Sequence, residues 1–266
     1  MNNIYSPFQP TLTKEGLRKF GLKLEYLEPC NALKGIVHAY LQIKCKCPTP
    51  YSVIPDGTQA IYMSSRGSLI SGTQTESKDI QLFLPGEYFG IWFYPAGLRH
   101  FFKVNLSEIS EQIVDIKYLE SRYFAYLHEQ IYSRKYFSER AKMCDTWLLK
   151  NHSKHLNLRF DNALSLIYQS SGNDRVESIA ERVGWSSRSL NRHFLQHTGL
   201  NTKTFSSIVR AQNVCKQLYR QAIDEQKGSL EFGYYDQAHF IKSFKKHFKY
   251  PPSKFMGRFM SDFYNN

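Results

Sequence analysis

Nowhere does this sequence approach the run of about 18 apolar residues that a membrane-spanning helix requires. Residues 1–10 also lack the basic start and apolar stretch of a secretion signal, so a cytoplasmic, unprocessed protein with no membrane partner is expected. Cysteine is sparse: Cys30, Cys45, Cys47, Cys144 and Cys215 are an odd number scattered over 266 residues, a pattern that excludes a disulfide framework and favours reduced thiols. Residues 1–118 hold only His38 and His100 and no His-x-His pair, whereas a metal-binding barrel needs several converging His or carboxylate ligands. Cys45 and Cys47 have no second ligand pair nearby, and neither a Gly-rich phosphate loop nor a Ser nucleophile motif occurs. Together these gaps argue against an enzyme and leave no catalytic residue, metal or cofactor to expect.

What is abundant is positive charge. The net charge is +12, divided evenly: 20 Lys/Arg against 14 Asp/Glu in residues 1–160, and 15 against 9 in residues 161–266. Charge alone therefore does not mark a nucleic-acid face, but its distribution does. Residues 237–258 carry six basic side chains and no acid, interleaved with Phe240, Phe244, Phe248 and Phe255. Such a run is either a solvated helix face or a phosphate-binding one.

Three textures divide the chain. Residues 1–118 contain short apolar runs at 35–43, 59–63, 80–84 and 89–94, separated by Pro, Gly and Ser clusters, which predicts a small sandwich or barrel. Pro48, Pro50, Pro55, Pro85 and Pro95 are expected between strands, where a missing N–H costs no ladder bond. Helical spacing follows in residues 119–157 (Tyr123, Leu127, Ile131, then Phe137, Ala141, Cys144, Leu148), which predicts a helical linker or dimerisation region ending in a polar connector at 151–157. Residues 158–266 read as entirely helical. The fold class expected is α+β.

An internal repeat lies in that last part. When residues 178–185 are set beside 227–234, Gly184 falls on Gly233 and Trp185 on Tyr234; Phe194 then meets Phe244 and Phe205 meets Phe255, with one extra residue in the second copy. Each copy has the parts of a helix-turn-helix: a short amphipathic helix, a turn with Gly at its tightest point, and a second helix with a mixed stripe. In the first copy Asp174 and Glu177 have capping-box spacing, and Gly184 should end the first helix in a left-handed conformation.

On the second helix of that copy Leu190, Phe194 and Leu195 should face inward, leaving Ser187, Arg188, Asn191 and Arg192 outward. Arg can make two hydrogen bonds to guanine and Asn two to adenine. The second copy should bury Phe240, Phe244 and Phe248 and present Gln237, His239, Lys242, Lys245 and Lys246, a set richer in point charge than in two-point donors. Between them residues 202–221 are periodic without Gly or Pro, predicting one continuous helix of about 30 Å. That length is near the roughly 34 Å between successive major-groove windows on one face of B-DNA.

Residues 233–255, with Ile179, Ala180, Gly184, Trp185, Leu190, Arg192, Phe194 and Gly199 before them, resemble the DNA-binding region of the AraC/XylS family of transcription regulators. The resemblance implies two helix-turn-helix units joined by one long helix, with the outward residues named above on bases or adjacent backbone. It further implies double-stranded promoter DNA and RNA polymerase as partners, and activation as the more common direction in these bacterial proteins. Two positions depart from the pattern. Gly228 and Ser229 stand where Ile and Ala are usual, and Lys249 occupies a turn position usually held by Gly. These departures keep open a second reading: an effector- or protein-binding regulator whose second unit is degenerate and which acts through protein partners.

The N-terminal part, at residues 53–58, 89–97 and 104–110, resembles the cupin-like β-barrel that precedes some such regions. This implies a sensory or dimerising module, with a small-molecule effector and a homodimer as candidate partners. An aromatic-lined cavity (Tyr62, Phe83, Tyr88, Phe89, Trp92, Phe93, Tyr94) would be the natural place for an effector, although any one such ring more often simply fills the barrel. Arg99 and His100 are further candidates, for an acidic head group.

Overall fold

The computed structural model describes residues 5–10, 22–47, 49–119, 122–153, 157–220 and 232–255. Strands β1 (Leu22–Leu27), β2 (Val37–Cys45), β4 (Gln59–Ser64), β5 (Gly67–Ser71), β7 (Gly86–Phe93) and β8 (Ile113–Asp115) form one antiparallel sheet in the order β1-β2-β7-β4-β5-β8. Strands β3 (Thr49–Val53) and β6 (Lys78–Phe83) form a second, two-stranded one. The apolar runs expected as strands lie on β2, β4, β6 and β7. Edge strands β1 and β8, and β5 beside the edge, carry no long apolar run.

The central strands read as unbroken apolar runs because both faces of the sheet are buried. Along β7, Phe89, Ile91 and Phe93 belong to one core and Tyr88 and Trp92 to another. Pro50 is not between strands: it lies inside β3, where the register shifts between Thr49 and Tyr51, so the ladder skips the residue that has no N–H.

Helices α1 (Arg122–Tyr132) and α2 (Phe137–Lys150) cover one face of the large sheet. Leu127, Ile131, Ala141, Cys144 and Leu148 share a core with Tyr40, Ile61 and Phe89, so the stretch expected as linker or dimerisation region packs as part of the N-terminal body. Arg140, buried on α2, donates to Glu87 on β7 and to Gln42 on β2, and Glu87 also pairs with Lys44.

The C-terminal body consists of α3 (Leu158–Gln169), α4 (Val176–Arg182), α5 (Ser187–Thr198), α6 (Thr202–Tyr219) and α7 (Gln237–Phe248). Gly228 and Ser229, where the second unit's first helix was expected, lie outside the described residues. The two bodies are tightly joined. Residues 5–10 run between them: the Tyr5 hydroxyl donates to Asp56 O at 2.5 Å while its ring stacks on Tyr168, and Phe8 N–H donates to Gln212 Oε1 at 3.0 Å. Gln212 Nε2 donates onward to Pro55 O at 2.8 Å. Ala96 enters the core of the first helix-turn-helix unit and Ile54 that of the second.

Candidate nucleic-acid interface

The long helix α6 organises the site. Its first half buries Phe205, Ile208 and Val209 against α3, α4 and α5, and its second half buries Ala211, Val214, Cys215 and Leu218 against α7. At 18 residues it spans about 27 Å, slightly less than expected. Helices α5 and α7 are thereby each anchored near one end of a single rod.

Helix α5 starts at Ser186, whose hydroxyl accepts from Ser189 N–H, and ends at Gly199 in a left-handed conformation, φ 79°. Leu190, Phe194 and Thr198 are buried, while Arg188, Arg192, Leu195 and Gln196 form an exposed stripe. Leu195 was expected inward; at 40% exposure it lies beside the Arg residues instead, because four-residue spacing from Asn191 turns it off the Leu190–Phe194 line. Ser187 is half-buried at the first turn. Asn191 is also half-buried, and its Oδ1 accepts the N–H of Thr202 at 3.0 Å, capping α6. That bond uses one of the two lone pairs of the amide oxygen, so Asn191 is tied to the connector while its amide keeps capacity for a further contact.

The preceding helix α4 corrects another expectation. It begins after Arg175, which makes no side-chain cap, so Asp174 is one residue too early to serve as one. Its carboxylate accepts from Arg182 at 3.2 Å. Gly184 does adopt the left-handed turn, φ 70°, with open space where a Cβ would stand.

Helix α7 repeats the plan. Asp236 accepts from His239 N–H at 2.6 Å, Phe240, Phe244, His247 and Phe248 are buried, and Lys249 closes the helix left-handed at φ 64°. Gln237, His239, Lys242, Lys245 and Lys246 are all exposed. The His239 Nδ1 faces the Tyr235 N–H at 3.4 Å, which makes it the acceptor and leaves the proton on Nε2, towards solvent. Among the described residues none of Arg188, Arg192, Lys242, Lys245 and Lys246 is held in an ion pair. Two lines of positive charge therefore face solvent on two helices, with the N-terminal body docked.

One exposed group went unread in the sequence. The caps Ser186 and Asp236 are 50 positions apart but Gly184 and Gly233 are 49, so the extra residue of the second copy is Tyr235. It is 90% exposed at the mouth of α7, whereas Tyr234, the partner of Trp185 in the repeat, is buried. The signal was the Tyr-Tyr pair after Gly233.

In the N-terminal body a cavity of about 50 Å³ is lined by Tyr62, Trp92, Asp56, Gln59, Gln74 and Lys78 among others. Phe89 and Phe93, expected in such a lining, sit in the other core, Tyr88 spends its hydroxyl on Leu84, and the Phe83 side chain lies outside the described residues. Burial raises the carboxyl of Asp56 against hydrogen bonds from Thr58 and Gln9 that favour its ionised form. Arg99 and His100 do not reach this cavity: Arg99 pairs with Asp161 on α3 and lies over the Phe160 ring, and His100 Nδ1 is 3.3 Å from His152 Nε2. No group of three or more metal-ligating side chains occurs among the described residues. No helix among them is long and apolar enough to cross a membrane.

Residues 179–258 match a family described as "Helix-turn-helix domain", and residues 25–115 one described as "Domain of unknown function (DUF6597)". An uncharacterized HTH-type transcriptional regulator of Haemophilus influenzae is 34% identical over 98 residues, which are 36% of this chain and 33% of that protein. The chain thus matches about a third of that relative's length. Among solved structures, ToxT of Vibrio cholerae aligns over 88% of this chain and 97% of its own with 7% identity and a TM-score of 0.40. A second structure of ToxT, from Vibrio cholerae O395, aligns over 88% and 96% with 9% identity and a TM-score of 0.39. The C-terminal part of this chain is thus similar, over residues 179–258, to helix-turn-helix domains, and over 98 residues to a transcriptional regulator of that type.

Proposed function

We propose that this protein is a sequence-specific transcription regulator that reads two successive major-groove segments of promoter DNA, one with α5 and one with α7. The observation that carries this reading is the pair of exposed basic stripes, without ion pairs among the described residues, held by one rod, α6. Arg188 and Arg192 supply two-point base contacts, with Ser187 beside them at the helix mouth; Gln237 and His239 contribute the same on α7. Lys242, Lys245 and Lys246 hold phosphates, and Tyr235 stands where it can meet the duplex next to them. Asn191 belongs to the same base-facing set and also fixes α5 against α6.

Residues 1–118 serve as the regulatory domain, with 119–157 packed on it and 158–266 as the DNA-binding domain. A small-molecule effector acting on that N-terminal body, a homodimer, and activation through RNA polymerase in the bacterial cytoplasm complete the proposal. The test is selection of bound duplexes from a random pool by the purified full chain, followed by footprinting. Recovery of one motif with two protected segments on the same face of the helix is expected. Recovery of no motif would overturn the DNA-reading function and favour a regulator acting through protein partners.

A further inference from the structure

A single short loop of the N-terminal body touches the same place on both reading helices. The last carbonyls of any helix lack intrahelical partners. At the end of α5 the Thr198 carbonyl accepts from the Thr73 hydroxyl at 2.6 Å, and that hydroxyl itself accepts from Gln59 Nε2 at 2.7 Å. Near the end of α7 the His247 carbonyl accepts from Ser77 N–H at 2.8 Å, and the His247 Nδ1 is 2.9 Å from Thr75 O. A carbonyl can only accept, so Nδ1 carries the proton and Nε2 accepts from the Ser207 hydroxyl on α6, 2.8 Å away. Thr73, Thr198 and His247 are fully buried.

The loop is braced from behind. Gly72 N–H donates to Gln112 O, Glu111 N–H donates to Thr73 O, and the Glu111 carboxylate accepts from Thr75 N–H and pairs with Lys78. Alongside, Gly199 packs so closely on the turn at Leu106 that a Cβ there would stand 2.8 Å from the Leu106 carbonyl. All of this leaves the stripes of α5 and α7 uncovered. A contact that hid those faces would block DNA; one that grips the opposite ends of both helices sets their mutual geometry.

We infer that the loop of residues 72–77 is a strut that fixes the spacing at which α5 and α7 meet DNA, with Thr73 and His247 as positioning residues. The N-terminal body is then a determinant of half-site spacing. The inference rests on the DNA-reading function proposed above. One base pair inserted between the two segments turns the second by about a tenth of a turn, which a rigid pair of readers cannot follow.

The experiment uses the full chain on the duplex recovered by selection, with one base pair added or removed between the segments. Wild type should lose about tenfold or more in affinity, whereas Thr73→Val and His247→Leu should lose less than about threefold, with affinity for a single segment unchanged. His247→Asn, which keeps a donor at the Nδ1 position, should restore the preference. Because His247 is buried and its Leu variant could misfold, Glu111→Ala, at a half-exposed position, loosens the same loop from behind. In parallel, spin labels at Gln196 and Lys246 in the free protein should give one narrow distance that broadens in Thr73→Val and Glu111→Ala. An unchanged spacing preference in folded variants, an equal loss at every spacing, or a broad distance in wild type would overturn the strut. If selection recovers no motif, the DNA-reading function falls and the spacing role with it, while the label distances still report whether the loop clamps the helices.

Discussion

Positions 199 and 249 occupy the same place in the repeat and fill it differently. Gly199 and Lys249 both return their N–H to the carbonyl four residues back, on Leu195 and Lys245, and both have φ above 60°. A left-handed backbone costs a residue with a side chain about 1–2 kcal/mol, and glycine nearly nothing. Lys249→Gly should therefore raise the stability to urea by about 1 kcal/mol. Gly199→Ala should lower it by more than that, because its methyl would also meet the Leu106 carbonyl. On the reading faces the expected losses differ in kind. Arg188→Ala should cost about 1–3 kcal/mol and relax choice at one base pair, while Lys246→Ala should weaken all duplexes alike and flatten the salt dependence. Competition binding on specific and random DNA distinguishes them: equal losses on both for Arg188→Ala would remove it from base reading.

Between elements, the tie from α2 to the sheet sets an acid sensitivity. Burial alone would raise the carboxyl of Glu87, but hydrogen bonds and charge from Arg140 and Lys44 outweigh it and hold the group below its ordinary value of 4.5. A carboxyl lowered in the folded state stabilises above its unfolded value, and that contribution is lost as pH falls through the lowered one. Thermal melts should accordingly drop below about pH 4.5, and Glu87→Gln should melt lower at neutral pH yet show a shallower acid drop. Parallel acid profiles for the two proteins would mean that the tie carries no such load.

At the scale of the whole molecule, buried histidines near Arg99, where the two bodies meet, set a second acid sensitivity. Burial, reinforced by the charge of Arg99, pushes His100 down to about 3 and His197 down to about 4, and His193 is lowered too, by burial and Arg192. Arg99, Asp161 and His152 are further titratable groups around these histidines, and His247 is a separate one on the same boundary. A histidine lowered in the folded state contributes stability that is whole above its unfolded value of 6.5 and is lost as pH falls from there towards its own value. Melting temperature should fall between pH 7 and pH 5, and His197→Phe should flatten that fall; a slope unaffected by the substitution would place the acid sensitivity elsewhere. Arg99 and Asp161 show the other side of the same burial: burial pushes the guanidinium down and the carboxyl up, each against its partner's pull. Such a pair adds little on forming but is expensive to break, so Arg99→Ala should destabilise by about 3–5 kcal/mol in denaturant titration.

Much of this protein was legible from short-range order. Strand runs, helix periods, the glycine turn at Gly184, the left-handed Lys249 and the exposed lysines of α7 depend on residues within a few positions of one another, and a linear pattern displays them. Pro50 and Leu195 were misplaced because a bulge and a few tens of degrees of helical phase depend on neighbours that the pattern does not name. The tie from Asn191 to Thr202 was not visible because Thr202 lies beyond the helix that carries Asn191. The contacts that join the two bodies were out of reach altogether: Thr73 with Thr198, Ser77 with His247 and Phe8 with Gln212 are separated by 125, 170 and 204 residues. No periodicity links such positions, because hydrogen bonds between buried polar groups depend on which surfaces meet after each body has folded. The chain's local chemistry specified the two helices α5 and α7 with their exposed basic faces; how they are held relative to each other came from the packing of the N-terminal body against both.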